Sequence, residues 1–300
     1  MADFVILKNR AGIIMWVLFA LLSAFFAGIT AVLSKVGVKN INSNLATAIR
    51  TIVVFVFAWI MVFAAGVQDG ISSVDVKTLV FLVLSGFATG ASWLCYFRAL
   101  KYGNVNKVAP IDKSSTILTM ILAFVFLHEE ITLLKAVCIV LIGTGTYMMI
   151  EKRDISEIKD EKSNWLIWAV LSAVFAALTS ILGKIGVSNI DSTLGTAIRT
   201  FVVLIMAWIV VFAAKCPGSI KRITVKDGAF LVLSGITTGL SWILYYRALK
   251  DGQASIVVPI DKLSILVTVA FSYVVLKEKL NKKSLCGMGM LVAGTLLLLV

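Results

Sequence analysis

The chain has 300 residues, of which 60% are apolar and only 15% charged, and its mean hydropathy is +1.00. A soluble fold of this length could not hide so much apolar surface, since soluble domains carry roughly 25% charged residues. The formal charge of +12 does not point to nucleic acid: the basic residues sit between apolar runs, as in loops beside membrane helices, and no nucleic-acid motif accompanies them.

A helix that crosses a bilayer needs about 20 apolar residues. The start, MADFVILKNR, is too short and mixed for a cleaved signal peptide, so the first apolar run is expected to remain as a helix. Spans are predicted at 12–33, 45–66, 79–100, 108–127 and 133–150, then at 166–182, 194–214, 229–249, 256–276 and 285–300. Between the two sets lies the polar run EKRDISEIKDEKSN, 151–164, read as a solvated linker.

The second set repeats the first. SNLATAIRTIVVFVFAWIMVFAA at 43–65 returns as STLGTAIRTFVVLIMAWIVVFAA at 192–214, an offset of 149 that holds almost throughout. Arg98 matches Arg247, Pro110 matches Pro259, Asp112 matches Asp261 and Glu129 matches Glu278. Over the stretch beginning at Ser85, 17 of 29 positions are identical between copies. So long a period excludes a solenoid and predicts two fused units, 1–150 and 165–300. After five crossings the chain has changed sides, so the second unit is expected upside down relative to the first. The predicted fold is an all-α membrane protein of ten transmembrane helices in two inverted five-helix repeats, an arrangement used by secondary transporters with sites near the midplane.

In this organisation, and in the phrases SGFATGASWLCYFRAL and SGITTGLSWILYYRAL, VAPIDK and VVPIDK, LHEE and LKEK, the chain resembles the EamA family of the drug/metabolite transporter superfamily over nearly its whole length. The resemblance implies ten helices and transport of a small metabolite. It does not choose among amino acids, drugs, sugars and other metabolites.

Ionisable groups at membrane depth are costly, so they face a water-filled cavity or pair with one another. Each copy carries a matched, cation-rich set: Arg50 and Arg199 in the second helix, Arg98 and Arg247 near the end of the third, Asp112–Lys113 and Asp261–Lys262 in the fourth. A planar guanidinium at depth suits a carboxylate or phosphate. Arg98 and Arg247 also fit interfacial anchoring, and Lys35 and Lys184 fit snorkelling to the headgroups. Asp112 and Asp261 follow a proline by two residues and have two open readings, an ion pair that ties the fourth helix to its neighbours or a role toward substrate or protons. The adjacent lysines favour the charged carboxylate, so uncoupled passage needs fewer assumptions than proton coupling. Trp93 and Trp242 lie well inside their spans and are candidates for the pocket wall. Gly86 and Gly90 have the spacing for close helix approach, mirrored by Gly235 and Gly239. Ser114, Ser115, Thr116 and Thr119 form a polar stripe that thins to Ser264 and Thr268 in the second copy.

Cys95, Cys138, Cys216 and Cys286 have no cysteine at the equivalent repeat positions and no metal or disulfide spacing. His128, the single histidine, is read as solvent-facing. No phosphate loop, metal triad or nucleophile–base set is present, so neither catalysis nor a cofactor is expected. The expected partners are a small-molecule metabolite and membrane lipids, with no nucleic acid, in a bacterial or archaeal plasma membrane. The sequence reading is a carrier for a small polar or anionic metabolite such as an amino acid; the alternative is a non-transporting scaffold or a lipid-handling, scramblase-like protein.

Loop charges and resemblance disagree on orientation. The resemblance implies cytoplasmic termini. Yet Lys152, Arg153, Lys159, Lys162, Lys215, Lys221, Arg222, Lys226, Lys277, Lys279, Lys282 and Lys283 share the side opposite the termini, which holds only Lys8, Arg10, Lys77 and Lys135 besides the matched residues. The positive-inside rule makes the richer side cytoplasmic. A reporter fused to the C-terminus and active only in the cytoplasm should therefore be silent; a fully active one overturns the charge argument.

Overall fold

The computed structural model describes residues 2–37, 42–102, 108, 111–149, 165–214, 224–274 and 281–299. The linker at 151–164, Pro110 and Glu278 lie outside them. Among the described residues all regular structure is helical. The elements are α1 (Ala2–Gly37), α2 (Ser43–Ala64), a short 3-10 turn (Gln68–Ser73), α3 (Val76–Tyr102), α4 (Ser115–Phe126), α5 (Leu133–Met148), α6 (Trp165–Val187), α7 (Ser192–Ala213), α8 (Val225–Asp251), α9 (Ala254–Lys262), α10 (Ser264–Val274) and α11 (Lys282–Leu297). Seven described stretches are long and apolar enough to cross a membrane; α5 is apolar but shorter.

With apolar residues on every face, end signals set the boundaries, and they recur at equivalent positions in the two copies. Asn42 caps α2 by accepting from the Asn44 amide, and Asp191 caps α7 by accepting from the amides of Thr193 and Leu194. Thr132 caps α5 and Asn281 caps α11. Each cap satisfies an amide that the first helical turn leaves without a partner. These caps start α2 and α7 two residues ahead of the predicted spans. α1 starts well before residue 12, because nothing in its polar beginning breaks a helix.

The fourth span departs from prediction in both copies. Instead of one rod, the second copy has α9 and α10 separated at Leu263, whose amide donates to the Ile260 carbonyl at 2.9 Å, a three-residue closure. The same closure joins Ser114 to Ile111 at 3.1 Å. Pro259, buried inside α9, cannot donate to the preceding turn, so this helix is already short of one bond before the break.

The copies interlock crosswise. The most extensive contacts run between α3 and α6, then α1 and α8, α5 and α11, and α2 and α7. In repeat terms, the first helix of each copy packs on the third helix of the other, while second helices meet each other and fifth helices meet each other. Individual contacts mirror this. Gly86 sits against Val202 and Gly90 against Met206 of α7, while Gly235 and Gly239 of α8 sit against Val53 and Phe57 of α2. The small-residue spacing thus joins one copy to the other. The largest core cluster draws on both copies, including Trp16 and Ala20 of α1, Ile181 of α6, Tyr246 of α8 and Ile260 of α9.

Among the described glycines, those of α5 and α11 come nearest to the backbone of another helix. A methyl group on Gly145 would lie 2.5 Å from the Gly287 carbonyl, and one on Gly287 would lie 2.6 Å from the Gly145 carbonyl. Backbone cannot swing aside as a side chain can. Gly287→Ala should therefore destabilise the detergent-solubilised protein by about 1–3 kcal/mol, the usual cost of overpacking, read as a lower melting temperature. Gly289→Ala, where nothing lies within 4 Å, should melt like the parent; equal melting of both variants would refute this packing.

Candidate functional site

Arg199 stands at the centre of the polar interior. α7 carries it into the bundle, where it is 2% exposed. Its Nε donates to Ser85 Oγ at 2.9 Å, and a terminal nitrogen donates to Thr89 Oγ1. Both hydroxyls are anchored in turn: Ser85 donates to the Thr179 carbonyl at 2.7 Å and Thr89 to the Ser85 carbonyl at 3.0 Å. Each hydroxyl can donate once and still accept, so the guanidinium is held by α3 and, through Ser85, by α6. The rings of Tyr246 and Trp242 lie 4.8 and 5.4 Å from the guanidinium carbon, close enough for cation–π attraction. Among the described residues no carboxylate forms an ion pair with it.

A cavity of about 380 Å³ adjoins this cation. Its wall includes Thr89, Ser92 and Trp93 of α3, Ala176, Thr179 and Ser180 of α6, Arg199, Ser241, Trp242, Tyr245 and Tyr246 of α8, and Asp261–Lys262 of α9, with Ala27 of α1. The hydroxyls of Tyr245 and Ser180 are 2.8 Å apart. Both copies therefore build the wall, and among the described residues its ionisable side chains are Arg199, Asp261 and Lys262.

Asp261 accepts from Ser23 Oγ of α1 at 2.8 Å, and Ser23 lies 3.2 Å from Ser241 of α8. The same triad recurs with the copies exchanged: Asp112 accepts from Ser172 Oγ of α6 at 2.9 Å, and Ser172 lies 3.4 Å from Ser92 of α3. Each carboxylate is thus met by a hydroxyl from the opposite copy rather than by an arginine. Lys113 is exposed and lies within electrostatic range of Lys262 and Asp112.

The remaining candidates lie elsewhere. Arg50 occupies the position of Arg199 in α2 and is engaged rather than free; its carbonyl approaches Gly235 of α8. Arg98 stacks over Trp168 at 4.4 Å beside a separate groove that includes Asn44 and Cys95. Its counterpart Arg247 is 3.2 Å from Asp251 and 3.9 Å from Asp191, with Phe19 at 6.0 Å. Of the ten sequence candidates, Trp93, Arg199, Trp242, Asp261 and Lys262 share the cavity, while Arg98 and Arg247 do not reach it. Lys184 makes specific contacts rather than simply extending to the interface: its ammonium donates to the carbonyls of Leu249, at 2.9 Å, and Gly252. His128 is exposed, with a φ of 53°.

Sequence reasoning missed Ser23, Ser172, Thr179, Ser180, Tyr245 and Tyr246. A signal existed for the first two, since serine recurs at the same place in two otherwise apolar first helices. None existed for Ser180, whose repeat position is Ala31. No group of three or more metal-ligating side chains occurs among the described residues.

Comparison with known proteins fits this architecture. A model described as "EamA-like transporter family" matches twice, at residues 14–151 and 163–300. An uncharacterized transporter in the cobO 3' region of Sinorhizobium sp. is 46% identical over 134 residues, covering 45% of this chain and 95% of that protein. An uncharacterized transporter of Archaeoglobus fulgidus is 24% identical over 290 residues, covering 95% of this chain and 98% of its own. A solved crystal structure aligns over 94% of this chain and 96% of its own, with a TM-score of 0.75 at 14% identity, a likeness of fold alone. Two family matches that together span nearly the whole chain, on a bundle of long apolar helices, make this an integral membrane protein that belongs to the EamA-like transporter family.

Proposed function

We propose that this transporter crosses the plasma membrane of a bacterium or archaeon ten times, as two five-helix units of opposite orientation, and carries a small polar or anionic metabolite, such as an amino acid, by alternating access. Residues 1–150 and 165–300 form the two units, joined by 151–164.

Parity of crossings supports the topology. Glu129, between α4 and α5, bonds the amides of Ala254 and Ser255 at the start of α9. Three long spans, α6, α7 and α8, lie between them. Three crossings would leave the two points on opposite faces, so the shorter α5 has to cross as the fourth. At its far end Tyr147 meets Lys283, which opens α11, and the end of α11 returns to a groove shared by Ile14, Asp251 and Gly252. The crosswise pairing of first and third helices is what a two-fold axis between inverted units generates.

The observation that carries the substrate class is Arg199, a buried guanidinium with hydroxyl and aromatic partners, beside a cavity walled by both units. Desolvated cations bind carboxylates strongly and bidentately. Asp261 and Lys262 on the same wall leave room for a zwitterion as well as a simple anion.

Purified protein in liposomes should exchange labelled L-amino acids or small carboxylates against an internal pool. Arg199→Ala, in protein that retains its melting transition, should lower the initial rate about tenfold or more, since hydrogen bonds to charged groups contribute ~1.5–3 kcal/mol. Arg98→Ala, away from the cavity, should stay within about twofold, as surface changes usually do. Movement of a fluorescent phospholipid between leaflets, with no solute exchange and no effect of Arg199, would replace the carrier with the lipid-handling alternative.

A further inference from the structure

At one end of the bundle a group of polar contacts outside the cavity wall joins several elements. The Glu129 carboxylate, from the loop after α4, accepts from the amides of Ala254 and Ser255 at 2.7 and 3.0 Å. It therefore sits on the positive N-terminal end of α9, the half-helix that carries Asp261 and Lys262 into the cavity. Lys135 of α5 donates to Gln253 Oε1 at 2.7 Å in the two-residue turn between α8 and α9. Lys184 of α6 donates to the carbonyls at the end of α8 and in that turn, where a helix C-terminus leaves acceptors without partners. Lys250 donates to the Ile190 carbonyl at 2.6 Å, joining the end of α8 to the connection between α6 and α7.

These contacts bind elements of both units across the same end. They hold each other in series: a carboxylate on the start of α9, cations on the end of α8, and the turn between fixed from both sides. Glu129, Lys184 and Lys250 have identical residues at their repeat positions, Glu278, Lys35 and Lys101, but the rest of the group is unequal between the copies. Lys135 has Ser284 at its repeat position, Asp191 has Asn42 and Asp251 has Tyr102. The ammonium of Lys135 and the two carboxylates around Arg247 thus occur at this end and not at the matched positions of the other copy.

We propose that Glu129 on the N-terminus of α9, with Lys135 on Gln253, is the latch that closes this end of the cavity, and that the unequal latch chemistry of the two copies makes closure at this end the resting state of the carrier. The inference rests on the alternating-access reading but does not need a known substrate. Symmetric halves would make the two states nearly equal in free energy. Extra charged contacts on one side bias such a two-state element by their own differential free energy. Opening this end means withdrawing Glu129 from two amides and Lys135 from an amide oxygen, so substrate has to supply binding energy that the closed state lacks.

The test reads accessibility instead of transport. With the four native cysteines replaced by alanine, Ala176→Cys places a thiol in the cavity, and a membrane-impermeant maleimide is added from one face or the other in oriented vesicles. Labelling from the latch end should be slow in the parent and rise about tenfold with Glu129→Gln, which sets an amide NH2 against an N–H donor; tenfold corresponds to ~1.4 kcal/mol in a two-state equilibrium. Labelling from the opposite face should fall correspondingly. Gln253→Ala, at an exposed side chain, should give a smaller rise and keeps the test decisive if Glu129→Gln fails to fold. Asp69→Asn, an exposed acid outside these contacts, should match the parent. The proposal is overturned if both latch variants label like the parent, or if Asp69→Asn raises labelling as much as they do. Because no solute is followed, failure here would leave the carrier reading intact, and failed exchange in liposomes would leave the latch measurable.

Discussion

Hydrocarbon offers no partner to a buried carboxylate or guanidinium, so every such group has to find one inside the protein. In this chain each copy finds part of that partnership in the other. Asp261 is met by Ser23 from the opposite unit and Asp112 by Ser172; Arg199 of the second copy is held by Ser85 and Thr89 of the first. Neither half could bury its own charges alone. Crosswise pairing of first and third helices follows, because only that pairing brings the serines of one copy beside the aspartates of the other. The cavity is then the space left at the seam, lined from both sides by the residues that make the seam possible.

Hydroxyls do this work in place of an ion pair. A serine satisfies one oxygen of a carboxylate and leaves its charge in place, whereas an arginine would neutralise it. Arg199, conversely, is steadied by two hydroxyls and two rings, with no acid paired to it among the described residues. The cavity wall therefore brings acidic and basic side chains together, Asp261 beside Lys262 and Arg199. A buried cation with no acid is energetically exposed, since burial of charge costs more than its neutral hydrogen bonds return. Two aromatic faces and the adjoining cavity moderate that cost.

Much of this was legible in the letters. The 149-residue offset located both copies, and hydropathy located the spans to within a few residues wherever a polar cap marks the end. The matched prolines drew attention to Asp112 and Asp261, though not to the one-residue break that follows them, which depends on how Leu263 and Ser114 close their turns. What hydropathy could not convey was partnership. Lys184 reads as a cation at a helix end, free to reach the headgroups; in three dimensions the carbonyls of Leu249 and Gly252 lie within its reach. Arg98 and Arg247 read like Arg50 and Arg199, but their side chains lie outside the cavity wall, against Trp168 and Phe19 of the opposite copy. Glu129 reads as one of two acids in a loop, and its role appears only once α9 begins beside it. These are long-range facts, set by which copy faces which, and no window along the chain contains them.

The relative from Sinorhizobium is matched almost end to end by less than half of this chain. In the proposed topology, a single-unit ancestor would need some molecules inserted each way round to build one seam. Joining the two orientations in one polypeptide fixes their stoichiometry at one to one, whatever the insertion machinery prefers. Once that ratio is guaranteed, identity between the halves is no longer required, and each can drift toward its own face of the membrane. Ser180 opposite Ala31, Tyr246 opposite Phe97 and Lys135 opposite Ser284 are the traces of that released symmetry.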